Sequence, residues 1–246
     1  MHKLSGISII SIISIISMRR LGSVAVAVLA LPVVMGPGKC GFVLDFTETA
    51  LISDKIDKIV LGVDDGTVDA TMYDREATLL KRHTFAFEPS IGELTSLQGA
   101  TEDGTLTLEA RCKYEGNCSF DHLFELPLGI SLEISMVTAL IRIGYISGDV
   151  DITFATGSFK GVRLAAPNFT LTAETAEITA DYATAPQTVT IAIDDGEVTL
   201  EVPAGEYRCA LTAGGKVTNT GITCNDAAAA VLDVQVGAGD ITVTGT

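Results

Sequence analysis

From Asp45 to the end of the chain, apolar and polar residues alternate with a period of two over most of the sequence. No stretch carries a long stripe with the 3.6-residue period of a helix, so the pattern predicts strands. It is clearest behind five glycines: Gly66-Thr67-Val68-Asp69-Ala70, Gly104-Thr105-Leu106-Thr107-Leu108, Gly148-Asp149-Val150-Asp151-Ile152, Gly196-Glu197-Val198-Thr199-Leu200 and Gly239-Asp240-Ile241-Thr242-Val243. Most are preceded by another alternating run, such as Ile59-Val60-Leu61, Ile141-Arg142-Ile143, Val189-Thr190-Ile191-Ala192-Ile193 and Val231-Leu232-Asp233-Val234. Shorter rungs fill the gaps: Gly161-Val162-Arg163-Leu164, Phe169-Thr170-Leu171-Thr172, Ala176-Glu177-Ile178-Thr179 and Gly215-Lys216-Val217-Thr218. Alternation sends one set of side chains into a core and the other to water.

Glycine supplies the positive φ or the close approach that a tight corner needs. Asp64-Asp65, Asp103 and Asp194-Asp195, each just before a glycine, favour turns by bonding nearby backbone amides. Two topologies satisfy this pattern. Asp-Gly between alternating runs is a hairpin signal, which gives an antiparallel β-sandwich. Alternatively, the glycines turn the corners of a single-domain β-solenoid whose coils stack on one another. The closely spaced rungs from Gly148 to Thr246 favour the all-β solenoid, with the sandwich as alternative. Tyr73 to Ser96 fits the repeat least and is read as a small cap or loop.

The start of the chain has a different character. From Met18 it reads Arg19-Arg20, an apolar run Leu21 to Met35, then Gly36-Pro37-Gly38-Lys39-Cys40. A basic start, an apolar middle and a small-residue end are the parts of a secretory signal. The apolar run is short for a membrane span, which needs roughly 20 residues. Residues 1–39 are therefore read as a leader, with Met18 as the expected biological start, and residues 40–246 as the body. Of the chain's 246 residues, 16 are basic and 31 acidic; the leader holds Lys3, Arg19, Arg20 and Lys39 and no acid. That leaves 12 basic and 31 acidic side chains, a charge of −19, on the body. So acidic a body repels phosphate backbones and anionic headgroups, which excludes nucleic acid and limits membrane contact to an N-terminal anchor.

The five cysteines follow from that address. An exported chain meets an oxidising compartment, where Cys112 with Cys118, and Cys209 with Cys224, can close short loops. In the chain-entropy picture the second closure contributes on the order of 3 kcal/mol. Cys40 is left over at the end of the leader, and reads as the lipid-attachment site of a bacterial lipoprotein, although Lys39 stands where such sites carry a small residue. The chain has no Cys-x-x-Cys pair of the kind that holds zinc.

Several segments carry a family likeness. They are the rung Ser147-Gly148-Asp149-Val150-Asp151-Ile152, the ending Gly239-Asp240-Ile241-Thr242-Val243, and two Pro-x-Gly segments, Leu126-Pro127-Leu128-Gly129-Ile130 and Val202-Pro203-Ala204-Gly205-Glu206. Phe46-Thr47-Glu48-Thr49, leading to Ile59-Val60-Leu61, matches the opening strand. In these, from Asp45 to Thr246, the chain resembles the bacterial adhesin-like β-solenoid family that includes auto-transporter adhesin head domains. The resemblance implies a cell-envelope protein with a structural or adhesive role, whose partner is an envelope protein or a matrix glycan.

Candidate chemistry is sparse. His83 and His122 follow Arg82 and Asp121 in polar settings and read as surface residues. No Gly-x-Ser-x-Gly, His-Glu-x-x-His or Gly-x-x-x-x-Gly-Lys motif occurs, so nucleophile activation and metal hydrolysis have no recognisable apparatus, and no catalytic residue, metal or cofactor is expected. Asp64-Asp65, Asp149, Asp151, Asp194-Asp195 and Asp240 could gather Ca²⁺, but their spacing fits no known calcium loop. Asp149, Asp151, Arg142 and Arg163 could share one flank of a polysaccharide-acting enzyme. The reading is a non-enzymatic, exported, lipid-tethered surface protein presenting an acidic, Thr-rich face. A glycan- or Ca²⁺-binding module comes second and a polysaccharide-acting enzyme third.

Overall fold

The computed structural model describes residues 25–34, 40–87, 91–95, 97, 101–114 and 118–246. Among them there is no helix. The strands are β1 (Ala25–Val34), β2 (Cys40–Ile52), β3 (Lys58–Met72), β4 (Thr78–Phe87), β5 (Ile91–Leu94), β6 (Thr101–Glu102), β7 (Thr105–Cys112), β8 (Cys118–Leu126) and β9 (Ser131–Gly144). They continue with β10 (Val150–Leu164), β11 (Asn168–Tyr182), β12 (Thr188–Val202), β13 (Glu206–Ala213), β14 (Val217–Thr220), β15 (Thr223–Cys224), β16 (Val231–Ala238) and β17 (Ile241–Gly245). All join one mixed sheet that does not close on itself.

The body is a parallel ladder. β9, β10, β11 and β12 lie side by side in register, so that Leu132, Val150, Phe169 and Val189 form one column at steps of 18, 19 and 20 residues. β3 lies on the other side of β9, with Ile59 beside Leu132. Beyond β3, β7 pairs with its first half and β8 with its second. At the opposite end β16 and β17 pair with the two halves of β12, and β13 and β14 lie beyond them. Spatial order thus departs from chain order at both ends.

Each long strand turns a corner. In β10 the buried positions are Val150, Ile152 and Phe154, then Phe159, Gly161 and Leu164. A straight strand keeps one parity on one face, so the change from even to odd marks a bend. Pairing skips a residue there: Phe154 faces Ala173 and Thr156 faces Thr175, while Ala155 has no partner. Past the bend, Gly66, Ala139, Gly157, Ala176 and Gly196 stack in one column. The glycines sit at φ of 148°, 147° and 136°, which side-chain-bearing residues rarely adopt. A Cβ on Gly157 would strike the carbonyl of Ala139, and one on Gly196 the carbonyl of Ala176. At these φ values an added Cβ points at the carbonyl of the neighbouring rung, whereas Ala139 and Ala176, outside the positive-φ region, carry theirs.

Asp64-Asp65-Gly66 and Asp194-Asp195-Gly196 lie inside continuous strands, as the favoured reading of glycines at corners expects and not as links of hairpins. One glycine needs correction. Gly148 is not equivalent to Gly196: it precedes β10 and packs on the carbonyl of Ile130, and Gly157 occupies the corner instead. Gly104, at φ 75°, lies in the turn before β7.

The core fills the ladder with columns of like residues: Leu61, Ile134, Ile152, Leu171, Ile191 and Val234 on one side of the bend, and Val68, Ile141, Phe159, Ile178, Val198 and Ile241 on the other. Each such side chain contributes about 1.5–3 kcal/mol when fully buried. The stretch expected as a cap or loop holds antiparallel strands. β4 lies between β2 and β8, β1 extends beyond β2, and β5 and β6 pair with β7, all antiparallel.

Candidate functional site

The residues proposed for an enzymatic flank do not come together. Asp151 belongs to an outward column with Glu133 and Thr170, whereas Arg142 lies past the bend, in the column of Asp69 and Lys160. Asp149 accepts a hydrogen bond from Asn168 Nδ2 at 2.9 Å. Arg163 stands over the ring of Tyr145, 5.7 Å from its centroid.

Asp64, expected to bond nearby turn amides, instead bonds across strands, and Asp121, Asp181 and Asp240 do the same. Asp64 Oδ2 accepts from the Cys112 amide at 2.6 Å, Asp121 Oδ1 from Thr67 at 3.2 Å, Asp181 Oδ2 from Arg163 at 2.7 Å and Asp240 Oδ1 from Lys216 at 2.7 Å. Each carboxylate satisfies an amide on a neighbouring rung where the ladder turns and its own bonds lapse. Asp64 also accepts from Arg111 Nη1 at 3.1 Å. Among the described residues no group of three or more His, Cys, Asp or Glu side chains is arranged to hold a metal ion.

His83 and His122 separate. His83 is half-exposed, with Nε2 2.7 Å from Asp45 Oδ1 and Nδ1 3.7 Å from Asp121 Oδ2. His122, expected at the surface, is buried with 2 % of its area exposed. It occupies the apolar column beside Val68 and stacks on Phe124. Desolvation, and then the charge of Arg82 on the adjacent strand, hold its pKa down at about 3. Arg82 is itself fully buried and pairs with Glu48, with Nε 3.0 Å from Oε2, while Nη2 donates to the Thr95 carbonyl at 2.8 Å. Sequence reasoning missed this cluster. Its signal was present: Leu80, Arg82, Thr84 and Ala86 share one parity, so a charge stands in an inward register.

An open trough lies along the bends. There Thr153, Thr172, Ala192, Gln235 and Thr212 form one outward column across five neighbouring rungs. With Glu174 and Asp194 they line an open trough of about 590 Å³ floored by Phe154 and Ile193. Strand spacing sets these groups about 4.8 Å apart. Hydroxyls, an amide and two carboxylates at a fixed repeat can hydrogen-bond a long, repetitive polar ligand. His83 and His122 lie on β4 and β8, away from these threonines, so among the described residues no imidazole stands beside their hydroxyls.

The cysteines pair as 112–118 and 209–224, with Cα separations of 5.8 and 5.4 Å. The first bridge spans the corner between β7 and β8, and the second ties β13 to the edge strand β15. Cys40 opens β2, its backbone opposite Val34 of β1. The leader assignment falls largely on residues 1–24 and 35–39, which lie outside the described residues; of the leader, 25–34 form β1.

No family model matches the chain, and no curated protein does. Among solved structures it is similar to a putative cell adhesion protein from Clostridium sporogenes, with a TM-score of 0.48 at 15% identity over 82% of this chain and 100% of that one. It is also similar to putative adhesins from Parabacteroides merdae (TM-score 0.31, 14% identity, 80% of this chain and 95% of that one) and Bacteroides fragilis (TM-score 0.30, 13% identity, 80% and 96%).

Proposed function

We propose that the chain is an exported, non-enzymatic surface protein with a structural and adhesive role, and that its body is a single β-solenoid. The observation that carries this reading is the register of β9 to β12. Parallel strands in a flat sheet need crossovers of a dozen or more residues. Here the links are residues 145–149, 165–167 and 183–187. Links so short reach the start of the next parallel strand only if each bent strand has already brought the chain most of the way round a coil. Hairpins of a sandwich would pair the same strands antiparallel. A coil of this kind offers columns of identical outward positions, which suits contact with an extended partner, and the Thr-lined trough is its adhesive face. The partner is a matrix polysaccharide or another envelope protein. Cys40, the one cysteine outside the two bridges, is the lipid attachment that tethers the body.

Two measurements test this. Bacteria producing the full chain should incorporate an alkyne-tagged palmitate, and Cys40→Ser should abolish the label; an unlabelled wild-type chain rejects the tether. Beads coated with the body should adhere to a panel of matrix polysaccharides and envelope extracts. Adhesion should fall when Thr153, Thr172 and Thr212 are replaced together by valine, which keeps their shape. Failure to adhere to every surface rejects the adhesive role.

A further inference from the structure

A second surface, distinct from the trough, lies where β3, β9 and β10 end. It begins with a backbone oddity. Two bulky residues on neighbouring rungs hold left-handed conformations, Tyr145 at φ 59° and Arg163 at φ 49°. Glycine or asparagine would occupy such positions with less strain. Tyr145 follows β9 and donates its amide to the Val162 carbonyl at 3.0 Å. Arg163 sits in an irregularity of β10, where pairing with β11 slips between Gly161 and Leu164. Bulges of this sort re-aim a side chain. Here the result is an exposed tyrosine ring with a guanidinium 5.7 Å from its centroid.

The surroundings repeat the theme. Thr71 pairs with Gly144, so Tyr73 and Tyr145 emerge at the same end of adjacent strands, and both are about half exposed. Arg75 lies 5.2 Å from the Tyr73 ring centroid and also pairs with Glu125. Arg142 and Lys160 are register partners on the outward face that leads to this end, with Asp69 beside Arg142. Arg142, Lys160 and Arg163 are exposed, and none forms an ion pair with a described carboxylate. In a body of charge −19 this is a local concentration of cations beside exposed aromatic rings, with Asp69 beside Arg142 and Asp181 bonded to the Arg163 amide as the acids among them.

The geometry points to a binding site for a carboxylate-bearing polysaccharide at this end of the ladder. Planar guanidinium groups match carboxylates in two-pronged fashion, and Lys160 adds a point charge. Tyrosine rings offer flat, amphipathic faces on which the C–H side of a sugar ring stacks. Adjacent rungs repeat the Tyr–Arg pairing, which suits a polymer that repeats its uronate. The strained placement of Tyr145 and Arg163 is retained because it turns both side chains onto this surface. This site rests on the adhesive reading, to which it adds a second surface beside the trough and one ligand class.

The test uses the full chain and alginate oligosaccharides, with dextran as the neutral polymer and poly-L-glutamate as the sugar-free polyanion. Alginate should bind saturably and more weakly as salt rises, while dextran and poly-L-glutamate should not bind. The double variant R142A/K160A should bind at least tenfold more weakly. Tyr145→Gly should weaken binding to a similar extent while its thermal midpoint stays the same or rises, because the strained residue is relieved. A tyrosine held only for folding would lower the midpoint instead. Equal binding of poly-L-glutamate, or full affinity in Tyr145→Gly, overturns the site. No alginate binding by a protein that still adheres in the bead assay overturns the site and leaves the adhesive role standing. Loss of both rejects the two together.

Discussion

Lowering the pH should expose the buried imidazole of His122. Its ring is 2 % exposed, faces Arg82 across the β4–β8 pair, and is held neutral with a pKa of about 3. Glu48, the other charge packed there, is engaged with Arg82. An unfolded histidine titrates near 6.5, so between these values the unfolded chain binds a proton that the folded chain refuses. Stability therefore falls as pH drops below about 6.5, by about 1.4 kcal/mol per unit, until the folded state also protonates near pH 3. At pH 5 the loss is about 2 kcal/mol. His122→Phe removes the proton and keeps an aromatic ring against Phe124, and it serves as the reference that cancels every other titrating group. Urea unfolding of both proteins at pH 7, 6, 5 and 4 reads the effect. The wild type should lose stability relative to the variant with the stated slope. Two curves that stay parallel from pH 7 to 4 would refute the burial of a neutral imidazole.

The corner, the ion pair and the bridges can each be probed by substitution. Gly157→Ala should cost at least about 2 kcal/mol, from the positive φ and the collision with Ala139, whereas Gly205→Ala, where a Cβ meets nothing closer than 3.8 Å, should stay within about 0.5 kcal/mol by chemical denaturation. Arg82→Met strands the Glu48 carboxylate and should cost about 3–5 kcal/mol, and Glu48→Leu added to it should restore much of that loss in a double-mutant cycle. Replacing Cys209 and Cys224 together by serine should lower stability by about 3 kcal/mol, while the parallel ladder persists by circular dichroism.

How far the sequence disclosed this fold can be judged at its corners. The two-residue period marked β10, β11 and β12, because inward and outward positions differ sharply along Phe169-Thr170-Leu171-Thr172 and its neighbours, whereas β8 was not singled out. It did not disclose the bends. A corner changes which parity faces inward, and in β10 the glycine responsible is Gly157, followed by Ser158-Phe159-Lys160-Gly161. That segment has the same form as Gly196-Glu197-Val198-Thr199, but a glycine replaces its last apolar residue. The intervening levels carry Ala139 and Ala176, which a search led by glycine passes over. The antiparallel end was not legible: β4 and β5 fall in the stretch read as a cap or loop, and pairing between β2, β4 and β8 is set by contacts distant in sequence. Among candidate site residues, the cysteine pairs were readable from short loops. The Tyr145–Arg163 surface was not, because left-handed backbone at a tyrosine leaves no mark in the pattern of polar and apolar positions.

The central claim is that rungs stack parallel and in register. It is tested most directly by two spin-label distances on a Cys40→Ser background, the other four cysteines being bridged. Labels at Glu133 and Thr190 lie three levels apart on one side of the bend, and labels at Arg142 and Thr199 three levels apart on the other. At a strand spacing of about 4.8 Å, both backbone separations should be about 14 Å. Antiparallel pairing reverses the strand direction over an odd number of levels and sets the two members of each pair toward opposite strand ends, so distances well beyond about 14 Å would contradict the account.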